Sequence, residues 1–281
     1  MDKNLNYGED YKFIPATSVG SGVGIDILPD LYQYTIQIVN IVLYGEPQMK
    51  DFVLIDAGMP KSADEIISVV EERYGSKSRP KAIILTHGHF DHVGGLIELI
   101  ERWDVPVYAH ILEIPFLSGK QNYPEPDPTV NNGLVAKMSP IFPNEAINLG
   151  GNLKVLPSDG SVPFMAGFRW IHTPGHSPGH ISLFREKDKV LIAGDAFVTV
   201  KQESLYKVIT QTKEISGPPQ YFTTDWLAAR ASIEKLAILK PSVAITGHGL
   251  PMKGEELTSN LKKLVDDFDQ IALPKQGKYL N

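Results

Sequence analysis

Short apolar runs alternate along this chain with segments in which apolar residues recur every three or four positions, a pattern typical of alternating strands and helices. The run Tyr34–Tyr44 is rich in β-branched and aromatic residues and predicts one strand that ends at Gly45. A second strand at 52–55 precedes Ser62-Ala63-Asp64-Glu65, a capping box that predicts the start of a helix ending near Gly75.

The same alternation continues through the rest of the chain. A third apolar run is followed by a helical pattern, and the later runs predict strands at 82–86, 167–171, 189–193 and 242–246. Asp225 predicts the start of a helix through Leu239, and an amphipathic pattern predicts a last helix from about 255 to 271. Strands alternating with helices indicate an α/β fold.

Residues 112–166 interrupt this pattern, since eight of the 21 prolines lie there. Proline lacks a backbone donor, so the segment is predicted to be loop or short irregular structure rather than sheet. We interpret the whole chain, 1–281, as a single domain with this Pro-rich insertion and a candidate flap at about 199–222. A long excursion beside a site is often functional, although a surface insertion without a role is the alternative.

The amino-acid composition limits the classes of function that we expect for this chain. The chain is 42% hydrophobic and 21% charged, which is ordinary for a globular protein, and its net charge of −6 predicts no general attraction to nucleic acid or anionic membranes. There is no cysteine, so any metal is held by His, Asp or Glu. The N-terminal stretch 1–6 has no apolar core of a secretion signal, and no run approaches a membrane span, which predicts a cytoplasmic protein.

The strongest chemical signal is a cluster of three histidines and an aspartate that directly follows the third predicted strand. Its ligand-type residues are His87, His89, Asp91 and His92. Neutral imidazole and carboxylate suit zinc and similar metals, and open α/β sheets place their sites at the carboxyl ends of strands. A histidine-rich surface turn is the alternative interpretation.

Three further residues follow apolar strands in the same way, each beside a glycine: His176, Asp195 and His248. Glycine lets the backbone turn sharply at a strand end. The residues span most of the chain, which favours one catalytic domain in which the strand ends converge on one site.

These four motifs, in this order over roughly residues 34–271, resemble the metallo-β-lactamase fold superfamily. The resemblance implies an αββα sandwich of two mixed β-sheets with helices on the outer faces. It also implies a dinuclear metal site. By position, His87, His89 and His176 would hold the first metal, and Asp91, His92 and His248 the second, with Asp195 bridging the two.

At some positions the chain departs from the family pattern, and these differences indicate which branch of the superfamily it resembles. β-Lactamases of the superfamily typically carry Cys or Ser where this chain has Asp195, so antibiotic hydrolysis is not expected. The chain looks most similar to the branch of glyoxalase-II-like thioesterases and quorum-quenching lactonases. However, Val198 stands where some lactonases use a tyrosine, and the C-terminal helical segment 264–269 is acidic rather than basic.

The resemblance therefore predicts a zinc-dependent hydrolase with two zinc ions per chain, manganese, iron or cobalt being possible instead. A metal-bridging hydroxide would attack a carboxylic ester, thioester or lactone, with Asp91 as the catalytic proton acceptor. We expect a small-molecule substrate, with polar contacts from Tyr206 and Tyr221, no nucleic-acid or membrane partner, and a monomer or homodimer.

Alternatives remain open from the sequence. One is a mononuclear iron persulfide-dioxygenase-like oxidoreductase, another a phosphodiester hydrolase, and a third a non-catalytic protein that keeps the fold as a binding platform.

His110, His172 and His180 are interpreted as structural residues. Asp56, at the end of the second strand, either orients a ligand imidazole or is a plain turn residue.

Overall fold

A computed structural model describes residues 5–280 of the chain. The chain divides into two compact units, which we call the first unit (Met1–Tyr123 with Pro143–Ala166) and the second unit (Pro124–Phe142 with Gly167–Asn281). Each unit contains one β-sheet and its own cluster of buried apolar side chains. The predicted fold class, with two mixed sheets and helices, is confirmed.

The first unit is built on a seven-stranded sheet with the strands in sequence order. The strands are β1 (Gly24–Leu28), β2 (Leu31–Ile36), β3 (Val39–Tyr44), β4 (Val53–Ile55), β5 (Ile83–Ile84), β6 (Val107–Ala109) and β7 (Leu153–Val155). Strands β1 to β4 pair antiparallel, and β4 to β7 pair parallel. The residues that follow β4 and β5 therefore emerge at the same edge of this sheet.

The helices of the first unit are α1 (Ala63–Tyr74), α2 (Phe90–Val93), α3 (Leu96–Trp103) and α4 (Ile114–Leu117). Two short 3₁₀ helices lie at Ile111–Glu113 and Gly150–Asn152. Helix α1 ends as predicted, with Gly75 at a φ of 99°. The predicted capping box is wrong: among the described residues the Ser62 hydroxyl donates to the carbonyl of Ala57, at 3.3 Å, instead of capping α1.

The single strand predicted at 34–44 is also wrong, because the structure forms a hairpin there. Ile36 of β2 pairs with Val39 of β3, so two residues make the turn. The first of them, Gln37, has a φ of 56°. Tight hairpin turns are usually marked by Asn-Gly, Asp-Gly or Gly-Gly. Gln37-Ile38 carries no such mark, so the apolar run appears continuous in the sequence.

The segment 112–166 is less irregular than its prolines predict. Leu153–Val155 forms β7 and pairs parallel with β6, so the prediction that this segment contributes no sheet is wrong. These three residues contain no proline and keep their backbone donors. The remainder forms short helices and loops, and the segment contributes to both units.

The second unit is built on a five-stranded sheet in the order β12-β11-β10-β9-β8. The strands are β8 (Phe168–His172), β9 (Ile181–Arg185), β10 (Val190–Gly194), β11 (Val243–Thr246) and β12 (Met252–Lys253). Only β10 and β11 pair parallel, and the other neighbours pair antiparallel. The carboxyl ends of β10 and β11 therefore lie side by side.

The helices of the second unit are α5 (Leu134–Met138), α6 (Leu205–Thr210), α7 (Trp226–Ile238), α8 (Gly254–Asp266) and α9 (Phe268–Ile271), with a 3₁₀ helix at Ser139–Ile141. The predicted start of α7 is confirmed, since the Asp225 carboxylate accepts a bond from the Ala228 amide at 2.9 Å. The last predicted helix is instead two helices, because Asp267 leaves helical geometry at φ −111° and ψ 27°.

Within residues 5–280, no helix is long and apolar enough to cross a membrane. The N-terminal stretch 1–6, on which the predicted location depends, lies partly outside the described residues. The candidate flap contains α6, and its residue Ser216 forms two backbone hydrogen bonds, of 2.9 and 3.1 Å, with Val198 directly before the flap.

Candidate metal centre

The histidine cluster of the first unit occupies the loop after β5 and the short helix α2. His89 has extended backbone geometry and is the N-cap residue directly before α2, and α2 carries Asp91 and His92. All four side chains are buried, with exposed fractions of 0% for His87, 4% for His89, 8% for Asp91 and 0% for His92. Each of the four belongs to a group of His or Asp side chains whose ligand atoms lie close enough together to hold a metal ion. A histidine-rich surface turn is therefore excluded.

Asp56, directly after β4, fixes the orientation of His92. One carboxylate oxygen accepts a bond from the Thr86 amide, at 2.8 Å. The other oxygen accepts a bond from the Thr86 hydroxyl and lies 2.8 Å from Nδ1 of His92. Since a carboxylate only accepts, the neutral His92 ring carries its proton on Nδ1 and a lone pair on Nε2. This is the arrangement in which a protein carboxylate orients a metal-binding imidazole.

The same network determines the protonation of His87. Its Nδ1 lies 3.1 Å from the Thr86 hydroxyl, whose single proton is already donated to Asp56. The neutral His87 ring therefore donates from Nδ1 and carries its lone pair on Nε2. The rings are also close together, with centroids 4.2 Å apart for His87 and His92, and 4.7 Å apart for His87 and His89.

Two residues near this loop, Glu113 and Tyr123, were not predicted from the sequence to support it. Glu113 is fully buried, and one of its carboxylate oxygens accepts bonds from the Gly88 amide, at 3.0 Å, and from the Tyr123 hydroxyl. The Tyr123 ring packs edge-on against His89, with centroids 4.6 Å apart. Burial, followed by the neighbouring Glu113, raises the pKa of Tyr123 well above its ordinary value, so the phenol stays protonated and donates.

In the second unit, His176 is held from one side by Thr223. The Thr223 hydroxyl donates to the carbonyl of Pro219, at 2.8 Å, and lies 3.2 Å from Nδ1 of His176. The neutral His176 ring therefore donates from Nδ1, and its Nε2 carries the lone pair. The preceding residue, Gly175, has a φ of 133°, and a Cβ on it would lie 2.5 Å from the backbone of α7, so a glycine is required.

Asp195 follows β10 and is 1% exposed. Its backbone amide donates to Nε2 of His180, at 2.9 Å, and Nδ1 of His180 in turn bonds the hydroxyl of Thr173, also at 2.9 Å. Both ring nitrogens of His180 are thus used inside the protein. This geometry supports the interpretation of His180 as a structural residue that positions Asp195.

The other two histidines interpreted as structural also bond to backbone groups. Nε2 of His172 lies 2.8 Å from the carbonyl of Pro178, and Nδ1 of His110 accepts a bond from the Leu112 amide at 3.3 Å.

One Asp195 carboxylate oxygen faces two imidazoles of the same unit. It lies 3.5 Å from Nε2 of His176 and 3.3 Å from Nε2 of His248, a residue that follows β11. These separations exceed those of a charge-assisted hydrogen bond, about 2.7–2.9 Å. Two ligands at about 2.0–2.1 Å from one tetrahedral ion lie about 3.3 Å apart. Each Asp195–imidazole separation therefore suits two ligands of one divalent cation, and each of these residues belongs to a group of side chains that could hold one.

The two predicted substrate-contact tyrosines lie in different environments. Tyr206 is in α6 with 74% of its surface exposed. Tyr221 is 5% exposed, and its ring packs against Phe142 and Phe222 at centroid distances of 5.6 and 5.1 Å. Their contact with a substrate stays a prediction.

Comparisons with known proteins show the family of this chain. The model of the metallo-beta-lactamase superfamily matches residues 34–248. The chain is 48% identical over 260 residues to the probable metallo-hydrolase YflN of Bacillus subtilis (strain 168), which covers 92% of this chain and 98% of that protein. It is 30% identical over 146 residues to the hydroxyacylglutathione hydrolase GloC of Haemophilus influenzae, which covers 52% of this chain and 61% of that protein.

Among solved structures, the chain is similar to the BLEG-1 B3 metallo-beta-lactamase. The two share 26% sequence identity with a TM-score of 0.52, over 85% of this chain and 97% of that one.

Proposed function

Because this chain belongs to the metallo-beta-lactamase superfamily, we propose that it is a metal-dependent hydrolase with two metal ions that cleaves a carboxylic ester, thioester or lactone. One observation carries the proposal. The hydrogen bonds within each unit fix the protons of His87, His92 and His176 on Nδ1, so that each Nε2 carries a lone pair for a cation.

The proposed ligands are the seven residues indicated by the family resemblance: His87, His89, Asp91, His92, His176, Asp195 and His248. The proposal treats chain 1–281 as one catalytic domain. The donor set consists of nitrogen and carboxylate oxygen without thiolate, which suits zinc. Manganese, iron and cobalt accept the same ligand types, so zinc is part of the proposal.

The chemistry that such ions supply is Lewis acidity toward a carbonyl oxygen and a lowered pKa of bound water. The chain contributes a proton acceptor, and we assign that role to Asp91. It lies in the first turn of α2, and its side chain is 8% exposed. A carboxylate held there can orient the attacking water and receive its proton as the carbon–oxygen bond forms.

The substrate class is supported by one relative. The similarity to a hydroxyacylglutathione hydrolase favours an acyl group bound to sulfur or oxygen as the cleaved unit. We assign polar substrate contacts to Tyr206 and Tyr221, and a gating role to segment 199–222. The proposal also includes a cytoplasmic location, a monomer or homodimer, and neither a nucleic-acid nor a membrane partner.

Removal of metal tests this proposal directly. We expect protein purified without chelators or metal-affinity resin to contain about two divalent ions per chain by elemental analysis. Dialysis against a chelator should abolish hydrolysis of 4-nitrophenyl acetate, S-acyl glutathione and γ-lactone substrates, and added zinc or manganese should restore it. Circular dichroism of the metal-free protein separates loss of metal from unfolding.

Two results would contradict the proposal. A single iron per chain, with oxygen consumption in the presence of a persulfide, would indicate the dioxygenase alternative. Hydrolysis of bis(4-nitrophenyl) phosphate, with no activity on the acyl substrates, would indicate a phosphodiester hydrolase. A cephalosporin is tested alongside these substrates because the chain is similar to a B3 metallo-beta-lactamase.

A further inference from the structure

Glu113 and Tyr123 contact residues 87–89 of the first unit, which we call the His87–His89 loop. Glu113 ends a 3₁₀ helix before α4, and its carboxylate is buried with no exposed surface. Burying a carboxylate is costly unless it is hydrogen-bonded. One of its oxygens receives two donors, the Gly88 amide and the Tyr123 hydroxyl. The carboxylate thus ties the centre of the loop to the start of the Pro-rich segment.

The loop is also packed against this pair. A Cβ on Gly88 would lie 2.5 Å from the Tyr123 hydroxyl oxygen and 2.9 Å from a methyl of Leu117. Only a glycine allows this approach of backbone to side chain. The Tyr123 ring touches His89 on one side and stacks on Phe116 of α4 on the other, with centroids 4.0 Å apart for the stacked pair.

Gly88 separates two of the proposed ligands, His87 and His89, and its amide is the group that Glu113 binds. A carboxylate that holds this amide fixes the backbone from which both imidazoles project. Partners of this kind, which orient ligands without touching the ion, change metal affinity by about 10- to 100-fold when removed.

We propose that Glu113 and Tyr123 are positioning residues of the metal centre, which hold the His87–His89 loop in its metal-binding geometry and thereby set the affinity for the ion. This inference rests on the proposed function. It assigns the start of the Pro-rich segment to supporting the ligands. From the sequence alone, the alternatives for that segment are a surface insertion without a role and a functional excursion.

The test measures zinc affinity of the metal-free full chain by competition with a chromophoric zinc chelator. We expect Glu113→Ala to weaken zinc binding by about 10- to 100-fold, since Gly88 and Tyr123 both lose their acceptor. Glu113→Gln presents an amide oxygen to the same two donors and should restore most of the affinity. Tyr123→Phe keeps the ring on His89, and removing one donor should weaken binding by about two- to tenfold.

The matched control is Glu101→Ala on the exposed face of α3 in the same unit, which should leave zinc affinity unchanged. Thermal unfolding of each metal-free variant distinguishes positioning from stability, because a merely structural role would lower the melting temperature without changing zinc affinity in the folded protein.

The result that overturns the inference is wild-type zinc affinity in both Tyr123→Phe and Glu113→Ala. Where Glu113→Ala does not fold, wild-type zinc affinity in Tyr123→Phe alone overturns it. Failure of the wild-type chain to bind zinc, manganese or iron would instead refute the proposed function itself.

Discussion

Replacing Asp91 by asparagine is expected to lower turnover by about 10²- to 10⁴-fold, the range for loss of a positioned proton acceptor. Asparagine keeps the size of the side chain but cannot take up a proton at neutral pH. The side chain lies in α2 beside His92, with 8% of its surface exposed, so the substitution preserves the buried packing. Steady-state kinetics on the best acyl substrate measure the effect, with metal content determined on the same samples.

The matched control for this prediction is Asp64→Asn, the same chemical change at an exposed position in the first turn of α1. It should leave turnover unchanged. His92→Ala should also abolish activity while leaving a folded protein. Near-normal turnover in Asp91→Asn or His92→Ala, with the metal content of the wild type, would contradict the assigned roles.

Replacing Asp56 by asparagine should weaken metal binding, because it moves the ring proton of His92 from Nδ1 to Nε2. The Thr86 amide needs an acceptor, so the asparagine oxygen faces it and the NH₂ group faces Nδ1 of His92. Nδ1 then becomes the acceptor, and the proton moves to Nε2. The Thr86 hydroxyl loses the same oxygen as its acceptor and instead donates to Nδ1 of His87, which shifts that ring in the same way. An Nε2 that carries a proton cannot bind a cation. We expect zinc affinity to fall by about 10- to 100-fold, measured by chelator competition.

Asp56→Ala provides the comparison that separates tautomer from stability. It leaves the buried Thr86 amide without its acceptor, which should lower the free energy of unfolding by about 1–3 kcal/mol. Asp56→Asn retains that acceptor and should unfold close to the wild type. Asp51→Asn, at an exposed position before β4, is the matched control. Unchanged zinc affinity in Asp56→Asn would refute the role given to this carboxylate.

Two of the wrong predictions from the sequence share one physical cause. The turn at Gln37-Ile38 carries no glycine or asparagine, and the left-handed φ of Gln37 is imposed by pairing between β2 and β3. Ser62 satisfies the local rule for a capping box but donates to Ala57, five residues earlier. In both places a tertiary contact overrides a local preference, which a pattern over a few residues cannot reveal.

The sequence by itself determined the alternation of strands and helices, most strand positions, and the residue types that supply the candidate ligands. These features are local, since a strand end, a glycine and a histidine within a few residues are visible in any window of the chain. The absence of cysteine likewise fixed nitrogen and carboxylate oxygen as the donors.

Only the tertiary structure decided how those ligands are protonated and held. Asp56 bonds His92 across 36 residues, Thr223 bonds His176 across 47, and the Glu113 carboxylate reaches the Gly88 amide across 25. Each partner is an ordinary aspartate, threonine or glutamate in its own segment. Its role arises because folding places its oxygen beside a ring nitrogen or backbone amide that is distant along the chain, and hydrogen bonds act only over about 3 Å.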